Sequence, residues 1–350
     1  MGRSAAIAIA VCLGVPLAFE VGFGIAVETG LLRTPRPTRG GTGFWQGHHP
    51  QFGVWHAPDS ETQQTSRCFS VAYRTNSVGA RDVERLRHSD RPRVVVLGDS
   101  YLEGWGVAEA ERLSNLMEAA TGVEHLNFAM AHFGTYQEYL VYRDLASQFD
   151  HDAVLLGIVP ATDFMDNDFD AAQELGWYEY RYRPYLVGEP PDLRHLEHRE
   201  PIWRRALRRH SYVFNALRVV LRNRSLRRDA PPPSLFYQFS QQQVRRLEAI
   251  LERLVHAARG KRMAWILIPA RADLKRYSQS AVTDPLSARL RALAARADIR
   301  IVNLLPALAG DLRRAQGFSH PCDRHWNRLA NRVAFEHLSR ALGPDFYQFD

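Results

Sequence analysis

The segment from Val94 to Ser100 is the feature that most constrains the fold of this chain. Its first four residues are apolar, which is typical of a strand buried on both faces in a parallel sheet. Gly98 permits a tight exit from the strand, so that Ser100 lies where a following helix would begin. Backbone N–H groups at the start of a helix favour negative charge, which suits a serine whose attack creates an oxyanion. The segment therefore predicts a serine nucleophile at the end of a buried strand.

A second segment, near the end of the chain, supplies the groups that such a serine needs. Asp323 and His325 are separated by a single residue. A serine hydroxyl needs a histidine to accept its proton, and the histidine needs an acceptor that fixes its tautomer. An Asp-x-His pair alone is more typical of a surface loop, but its combination with a serine at a strand exit favours catalysis. The sequence thus predicts Ser100 as nucleophile, His325 as base and Asp323 as the group that orients His325.

Predicted strands and helices alternate along most of the chain. The strands are expected at residues 93–97, 125–128, 153–159, 263–268 and 299–304, and the helices at 112–120, 137–149, 241–258 and 327–342. This alternation predicts an α/β fold, a three-layer α/β/α sandwich with a mostly parallel, doubly wound sheet of five strands. Ligands bind such sheets beyond the carboxyl ends of the strands, near the point where the strand order reverses. Ser100 is expected at that point.

Five segments together resemble the SGNH or GDSL hydrolases, a family of serine esterases and acyl hydrolases. The first and last family blocks correspond to Gly98-Asp99-Ser100 and Asp323-x-His325. The chain is most similar to bacterial membrane-anchored members, which share segments seen here at residues 76–82 (Asn-Ser-Val-Gly-Ala-Arg-Asp), 127–134 and 160–167. The resemblance covers roughly residues 60–350. It implies a flavodoxin-like SGNH fold and an ester-hydrolysing triad that needs no metal or organic cofactor. The implied substrate is an acylated small molecule, glycan or lipid, and we favour an acyl group on a cell-envelope carbohydrate or lipid.

The oxyanion hole is where the chain departs from this family. Relatives use the backbone of the serine, the backbone of a glycine and the side chain of an asparagine. Here the glycine position is His132 and the asparagine position is Thr162. A His132 peptide N–H can still donate if its backbone angles permit it, whereas the Thr162 side chain is shorter than asparagine. Losing one such donor costs about 2.7–4 kcal/mol of transition-state stabilisation. A non-catalytic glycan- or partner-binding relative therefore stays open as an alternative. An O-acyltransferase also stays open, because it differs from an esterase only in the acceptor that replaces water.

The composition argues against a nucleic-acid partner and against a metal centre. The net charge is +7, but only two of the 45 basic residues are lysines, Lys261 and Lys275. This skew is better explained by codon bias than by nucleic-acid binding. Zinc spacing, phosphate-binding glycine loops and RNA-binding aromatic patterns are missing from the sequence. The acidic stretch at residues 166–170 lacks the spacing of a calcium loop, so we expect a solvated turn there.

The N-terminus predicts a membrane segment. Residues 5–19 and 21–27 are apolar runs separated by Glu20, and together they reach a spanning length of about 20 residues. An uncleaved anchor is favoured, and a signal peptide cleaved near Gly24-Ile25-Ala26 is the alternative. Arginines at positions 33, 36 and 39 outnumber Arg3, which would keep the domain cytoplasmic by the positive-inside rule. The family resemblance instead implies a periplasmic or extracellular domain, and we adopt that expectation.

The remaining organisation follows from composition. We expect the anchor or signal segment at residues 1–30, a linker and lead-in segment at 31–90, and the hydrolase domain at 91–350. Within the lead-in segment, residues 33–64 are rich in Gly, Pro, Thr and His and predict a linker, and residues 69–74 predict a short strand. Cys68 and Cys322 are either two unrelated buried thiols or a disulfide that ties the lead-in segment to the catalytic loop.

An Arg-rich helical insertion is expected at about residues 176–240. Its apolar residues recur at helical spacing, with arginines opposite them. The stripe consists of Trp203, Ala206, Leu207, His210, Phe214, Leu217 and Leu221. We favour a helix that packs this stripe on the core and leaves its arginines solvated. A lid over the site and a face resting on anionic lipid are the alternatives. Alternating tyrosines at positions 178, 180, 182 and 185 favour an edge strand over a sugar-stacking platform.

Overall fold

The computed structural model describes residues 3–32, 34, 37, 44–174, 181–225, 234–280, 284–309 and 317–349. The strands are β1 Trp45–His49, β2 Gly53–His56, β3 Glu61–Thr65, β4 Ser70–Arg74, β5 Arg93–Leu97, β6 Glu124–Asn127, β7 Ala153–Ile158, β8 Pro184–Val187, β9 Arg194–Glu197, β10 Arg262–Leu267 and β11 Arg300–Asn303. The α-helices are α1 Arg3–Glu28, α2 Ser100–Glu103, α3 Leu113–Thr121, α4 Thr135–Asp144, α5 Pro160–Asp166, α6 Phe169–Glu174, α7 Ile202–His210, α8 Tyr212–Ser225, α9 Gln241–Ala257, α10 Arg271–Ser280, α11 Pro285–Ala295, α12 Leu305–Ala309 and α13 Arg328–Leu342.

The core of the protein is a five-stranded sheet in the order β11-β10-β7-β5-β6, and every pairing in it is parallel. Helices flank the sheet: α4 packs against α9, and α3 packs against α13. The strand order reverses between β5 and β7, because the chain first moves outward to β6 and then returns to the other side of β5. This arrangement confirms the predicted doubly wound α/β fold. It also places the end of β5 at the reversal point, where such folds bind ligands.

The linker prediction for the lead-in segment is wrong over most of its length. Residues 45–65, expected to belong mostly to a linker, form three strands: β1 pairs with β2, and β3 pairs with the predicted strand β4. The physical reason is burial of the few large apolar residues in this polar stretch, among them Phe52 and Trp55. The indole of Trp55 also donates to the carbonyl of Val78 at 2.8 Å. The Gly- and His-rich composition of this stretch therefore does not indicate the β1–β2 hairpin, which packs against the core.

The N-terminal helix α1 packs against α8. The Glu20 carboxylate accepts hydrogen bonds from the Ser211 hydroxyl at 2.8 Å and from the Tyr212 amide. Within the described ranges, no helix is long and apolar enough to cross a membrane. The anchor expected at residues 1–30 stays a prediction. The arginines at positions 33, 36 and 39 lie outside the described residues.

The Arg-rich insertion corrects a second prediction, because its helices do not pack an apolar stripe on the core. It forms two helices, α7 and α8, that meet at Ser211, and it leaves Trp203 and Leu217 exposed. Arg204 is buried instead, because it and Arg208 pair with the buried Glu200 carboxylate. Tyr185 lies on β8, which pairs with β9 in a separate two-stranded sheet. Residues 178, 180 and 226–233 lie outside the described part of the chain.

Candidate active site

Ser100 lies at the carboxyl edge of the sheet, as predicted, at the first position of α2. The side chain of Asp99 caps this single-turn helix by accepting a hydrogen bond from the Tyr101 amide at 2.9 Å. Gly98 is required by close packing, because a Cβ at this position would lie 2.9 Å from the Leu102 side chain. The end of β5, the cap and this tight contact together fix the backbone that carries Ser100.

Asp323 and His325 form the hydrogen-bonded pair that the sequence predicts. Nδ1 of His325 lies 2.5 Å from Oδ1 of Asp323, and the His325 amide donates to the same oxygen at 3.0 Å. The His325 ring lies 5.6 Å from the ring of Tyr101, the residue after Ser100. Burial alone would raise the pKa of Asp323, but hydrogen bonding and charge from His325 outweigh it and hold that pKa well below its usual range. The carboxylate therefore stays ionised beside the imidazole and next to the serine loop.

Trp105 is a site residue that sequence reasoning missed. Its indole N–H donates to Oδ2 of Asp323 at 3.2 Å, and its ring lies 5.5 Å from the His325 ring. Asp323 is thus held on one oxygen by His325 and on the other by a residue that closely follows the serine. The contact joins positions 218 residues apart, and no local spacing indicates it.

A disulfide joins Cys68 to Cys322, the residue that directly precedes Asp323. The sequence left this bond open as one of two alternatives, and the structure contains it. Close to it, the His320 amide donates to the His325 carbonyl at 3.1 Å and so helps to close the loop. The loop that carries His325 is therefore covalently tied to the lead-in segment.

His132 adopts a left-handed backbone with φ of +70°, the region that favours glycine. This is the position at which the resembled family has glycine. The Arg183 guanidinium donates to the His132 carbonyl at 2.6 Å and pairs with the Asp166 carboxylate at 3.3 Å. Burial lowers the pKa of His132 to about 3, so its imidazole is neutral. Arg183 and Asp166 therefore help to hold a backbone conformation that histidine rarely adopts.

Thr162 lies beside the serine loop, as predicted, near the start of α5. Its hydroxyl is within hydrogen-bonding distance of Oδ2 of Asp99, at 3.3 Å, and of the Val159 carbonyl, at 3.2 Å. A hydroxyl has one proton to donate, so these acceptors compete with any oxyanion for it. In this structure, Thr162 braces the loop that carries Ser100.

Several carboxyl groups in and near the serine loop are buried. Asp166 and Asn167 are buried, which corrects the expected solvated turn; Asp166 pairs with Arg183, and the Asn167 amide oxygen accepts from the Tyr136 amide at 3.0 Å. Burial raises the pKa of both Asp99 and Asp166 to about 6. Burial, followed by the charge of Asp163, also raises the pKa of Glu138 well above its usual range.

Among the described residues, no group of three potential ligands could hold a metal ion.

The segment at residues 76–82 is hydrogen-bonded to the serine loop. The Arg81 guanidinium donates to three carbonyls at the end of α2 and just after it: those of Glu103, Gly104 and Val107. The Glu103 carboxylate, in turn, accepts from the Ala131 amide at 2.6 Å, just before His132. These contacts connect the serine loop to the segment that carries the second oxyanion candidate. Arg81 and Glu103 therefore support the site from the protein interior.

Comparison with known proteins gives a likeness of fold only. The sequence matches no family model and no curated protein. Among solved structures, a member of the lipolytic G-D-S-L family from Veillonella parvula is 10% identical, with a TM-score of 0.41, covering 71% of this chain and 96% of that one. A lipase/acylhydrolase from Enterococcus faecalis is 13% identical, with a TM-score of 0.39, covering 72% and 95%. A carbohydrate esterase family 2 enzyme from Corynascus thermopiles is 12% identical, with a TM-score of 0.39, covering 74% and 68%. These values are low, and no residue role is taken from them. By its own strand order, the protein belongs to the class of doubly wound α/β proteins with a five-stranded parallel sheet.

Proposed function

We propose that this protein is a serine hydrolase that cleaves acyl esters through Ser100, His325 and Asp323. The observation that carries the proposal is the 2.5 Å contact between His325 and Asp323 beside the loop that holds Ser100. With Nδ1 engaged by Asp323, Nε2 of His325 is left to accept the serine proton. Ser100 then attacks the ester carbonyl, and His325 returns the proton to the leaving alcohol. Water releases the acyl group from Ser100 in the second half of the reaction, so the chemistry requires no metal or organic cofactor.

The oxyanion in this proposal is stabilised by the backbone N–H groups of Ser100 and His132 and by the Thr162 hydroxyl. The left-handed backbone of His132 supports its part, because this is the backbone region that favours glycine, the residue that the resembled family has at this position. Thr162 has to turn its hydroxyl away from Asp99 before it can donate to the oxyanion. Each such donor is worth about 2.7–4 kcal/mol in the transition state.

The proposed substrate is an acyl group on a cell-envelope carbohydrate or lipid, and the proposed location of the domain is periplasmic or extracellular. The disulfide supports this location, because disulfides persist in oxidising compartments and are rare in the cytosol. An O-acyltransferase is a close variant of the same mechanism, in which a sugar hydroxyl replaces water as the acceptor.

A non-catalytic glycan- or partner-binding module is the second candidate, and the Thr162 contact favours it. A hydroxyl that donates permanently to Asp99 leaves the oxyanion with one donor fewer. Thr162→Val distinguishes the two candidates. For an enzyme that uses the hydroxyl, turnover falls about a hundredfold while KM stays unchanged. For a binding module, there is no turnover to lose.

The test is hydrolysis of short-chain aryl esters and release of acetate from acetylated glycans by purified protein. Ser100→Ala is the inactive control, and the exposed Ser147→Ala is the matched control that keeps activity. Release of free acetate identifies a hydrolase, whereas transfer to an added sugar without free acetate identifies a transferase. Absence of both reactions, with retained glycan binding in Ser100→Ala, would contradict the proposal.

A further inference from the structure

Helix α7 has inverted polarity, with arginine inside and apolar side chains outside. Ile202 and Trp203 are 77% and 60% exposed, whereas the neighbouring Arg204 is only 7% exposed. Leu207, one turn further along, is also exposed. A surface helix of a water-soluble protein has the opposite arrangement. The outer surface of α7 is therefore built to meet an apolar environment.

Helices α8 and α1 repeat this inversion. On α8, Leu217 and Val220 are exposed while Arg218 is buried. On α1, the one acidic group in the middle of the helix, Glu20, turns inward to Ser211 at the junction of α7 and α8. Because α1 and α7 each pack against α8, we group the exposed apolar residues of the three helices and call them the outer apolar face. It consists of Val15, Leu17, Phe19, Val21, Ile25, Ile202, Trp203, Leu207, Leu217 and Val220.

The exposure of α1 on all sides indicates lipid rather than a protein partner. Residues 14–19 of α1 are all exposed, and none of them is charged or polar. Six consecutive residues of an α-helix point in every direction around its axis, because one turn takes 3.6 residues. A protein partner would cover one stripe of such a helix, whereas lipid acyl chains can surround it.

Charge complementarity narrows the occupant to an anionic bilayer. Arg209 and His210, at the end of α7, are exposed, and Arg205 is half-buried next to Trp203 and Leu207. Arginine beside exposed apolar and aromatic side chains is typical of helices that lie in the headgroup region of anionic membranes. Tryptophan prefers the same depth, because its ring is apolar and its N–H is polar.

We propose that the outer apolar face docks on an anionic lipid bilayer, with α7 lying at the headgroup level. Trp203 and Leu207 then contact acyl chains, and Arg209 contacts lipid phosphates. This arrangement does not depend on the chemistry at Ser100, so loss of esterase activity leaves it intact.

The test places an environment-sensitive fluorophore, NBD, at Leu207→Cys in the full chain. The variant also carries Cys12→Ser, so that the new thiol is the reactive one beside the Cys68–Cys322 disulfide. The matched control is Leu86→Cys, which is 73% exposed and lies in the lead-in segment, outside α1, α7 and α8. On addition of vesicles of phosphatidylcholine with phosphatidylglycerol, NBD at position 207 should shift to shorter emission wavelengths and be quenched by nitroxide-labelled lipid. NBD at position 86 should do neither.

Two further variants test whether an anionic bilayer, and not a second copy of the chain, covers the outer apolar face. Arg209→Gln should reduce the emission shift with phosphatidylglycerol vesicles and leave the smaller shift with pure phosphatidylcholine unchanged. Trp203→Gln should weaken vesicle binding about tenfold, while Leu86→Gln should not. An unshifted position 207 in vesicles would overturn the proposal. So would a shift that appears without vesicles and grows with protein concentration, since it would identify a second copy of the chain as the occupant.

Discussion

Ser100 and the Asp323–His325 pair are held in place by different kinds of interaction. Ser100 follows β5, whose five residues are all buried, and its loop is capped by Asp99. The Asp323 and His325 side chains are 23% and 28% exposed and lie on a loop. That loop is held by one disulfide, by the Trp105 hydrogen bond and by the backbone hydrogen bond between His320 and His325. The position of Ser100 therefore follows from the core of the sheet, whereas the position of His325 depends on a few contacts within a partly exposed loop.

The largest expected effect tests whether these two differently supported parts act as one unit. Ser100→Ala and His325→Ala should each lower kcat for an aryl ester by on the order of 10⁴-fold or more. The double variant should be scarcely slower than either single variant, because members of a triad depend on one another. Steady-state kinetics of the three variants measures this. Multiplicative losses in the double variant would show that Ser100 and His325 work independently.

Breaking the disulfide should affect the base and leave the nucleophile in place. Cys68 and Cys322 are 254 residues apart, and the chain-entropy account gives such a cross-link about 5 kcal/mol of stability. In Cys68→Ser/Cys322→Ser, we expect a lower midpoint of chemical denaturation and a lower kcat below the unfolding transition. The physical reason is that Cys322 adjoins Asp323. Unchanged kcat in the folded variant would show that the loop is held without the disulfide.

The buried cap of the serine loop should produce a pH-dependent stability. Burial raises the pKa of Asp99 to about 6 in the folded protein, whereas it is about 3.9 in an unfolded chain. Between these values the folded state retains a proton that the unfolded state releases, so this group's contribution to stability falls as pH rises from about 4 to 6. Asp99→Asn keeps an acceptor oxygen for the cap and removes the charge. Relative to wild type, its free energy of unfolding should rise by about 2 kcal/mol between pH 4 and pH 7.

Denaturation at the two pH values measures this difference, and the exposed Asp170→Asn is the control. A stability difference between Asp99→Asn and wild type that does not change with pH would show that Asp99 ionises normally in the fold.

The smallest effect concerns the tryptophan that joins the two parts of the site. Trp105→Phe keeps most of the ring and removes the hydrogen bond to Oδ2 of Asp323. Since a hydrogen bond to a charged group contributes about 1.5–3 kcal/mol, we expect kcat to fall at least about tenfold, with KM unchanged. The surface variant Trp203→Phe should leave both constants unchanged. A change in KM alone would place Trp105 in substrate binding instead of in positioning Asp323.

The elements that could be predicted from the sequence are those with local causes. The apolar run of β5 and the alternation of strands and helices indicate the sheet, and the Asp-x-His spacing indicates the pair in the final loop. Trp105 could not be found in this way, because its contact with Asp323 forms only when distant parts of the chain come together. The same is true of the hydrogen bond between Thr162 and Asp99, which no residue pattern indicates.

The insertion shows a second limit of sequence reasoning. Helical spacing in α7 and α8 indicates an amphipathic pattern, but the pattern does not say which side faces the protein. The buried Glu200 turns Arg204 and Arg208 inward, and Trp203 therefore faces outward. The buried carboxylate of Glu200 therefore decides which side of α7 faces the protein.

The most direct test of the central claim is the site and rate of labelling by a fluorophosphonate. We predict a stoichiometric adduct on Ser100, located by peptide mass spectrometry, in wild-type protein. In Asp323→Asn the adduct should still be on Ser100 but form at least about a thousandfold more slowly, because the His325 tautomer is no longer fixed. An adduct on another residue, or equal rates in wild type and Asp323→Asn, would contradict the proposed triad.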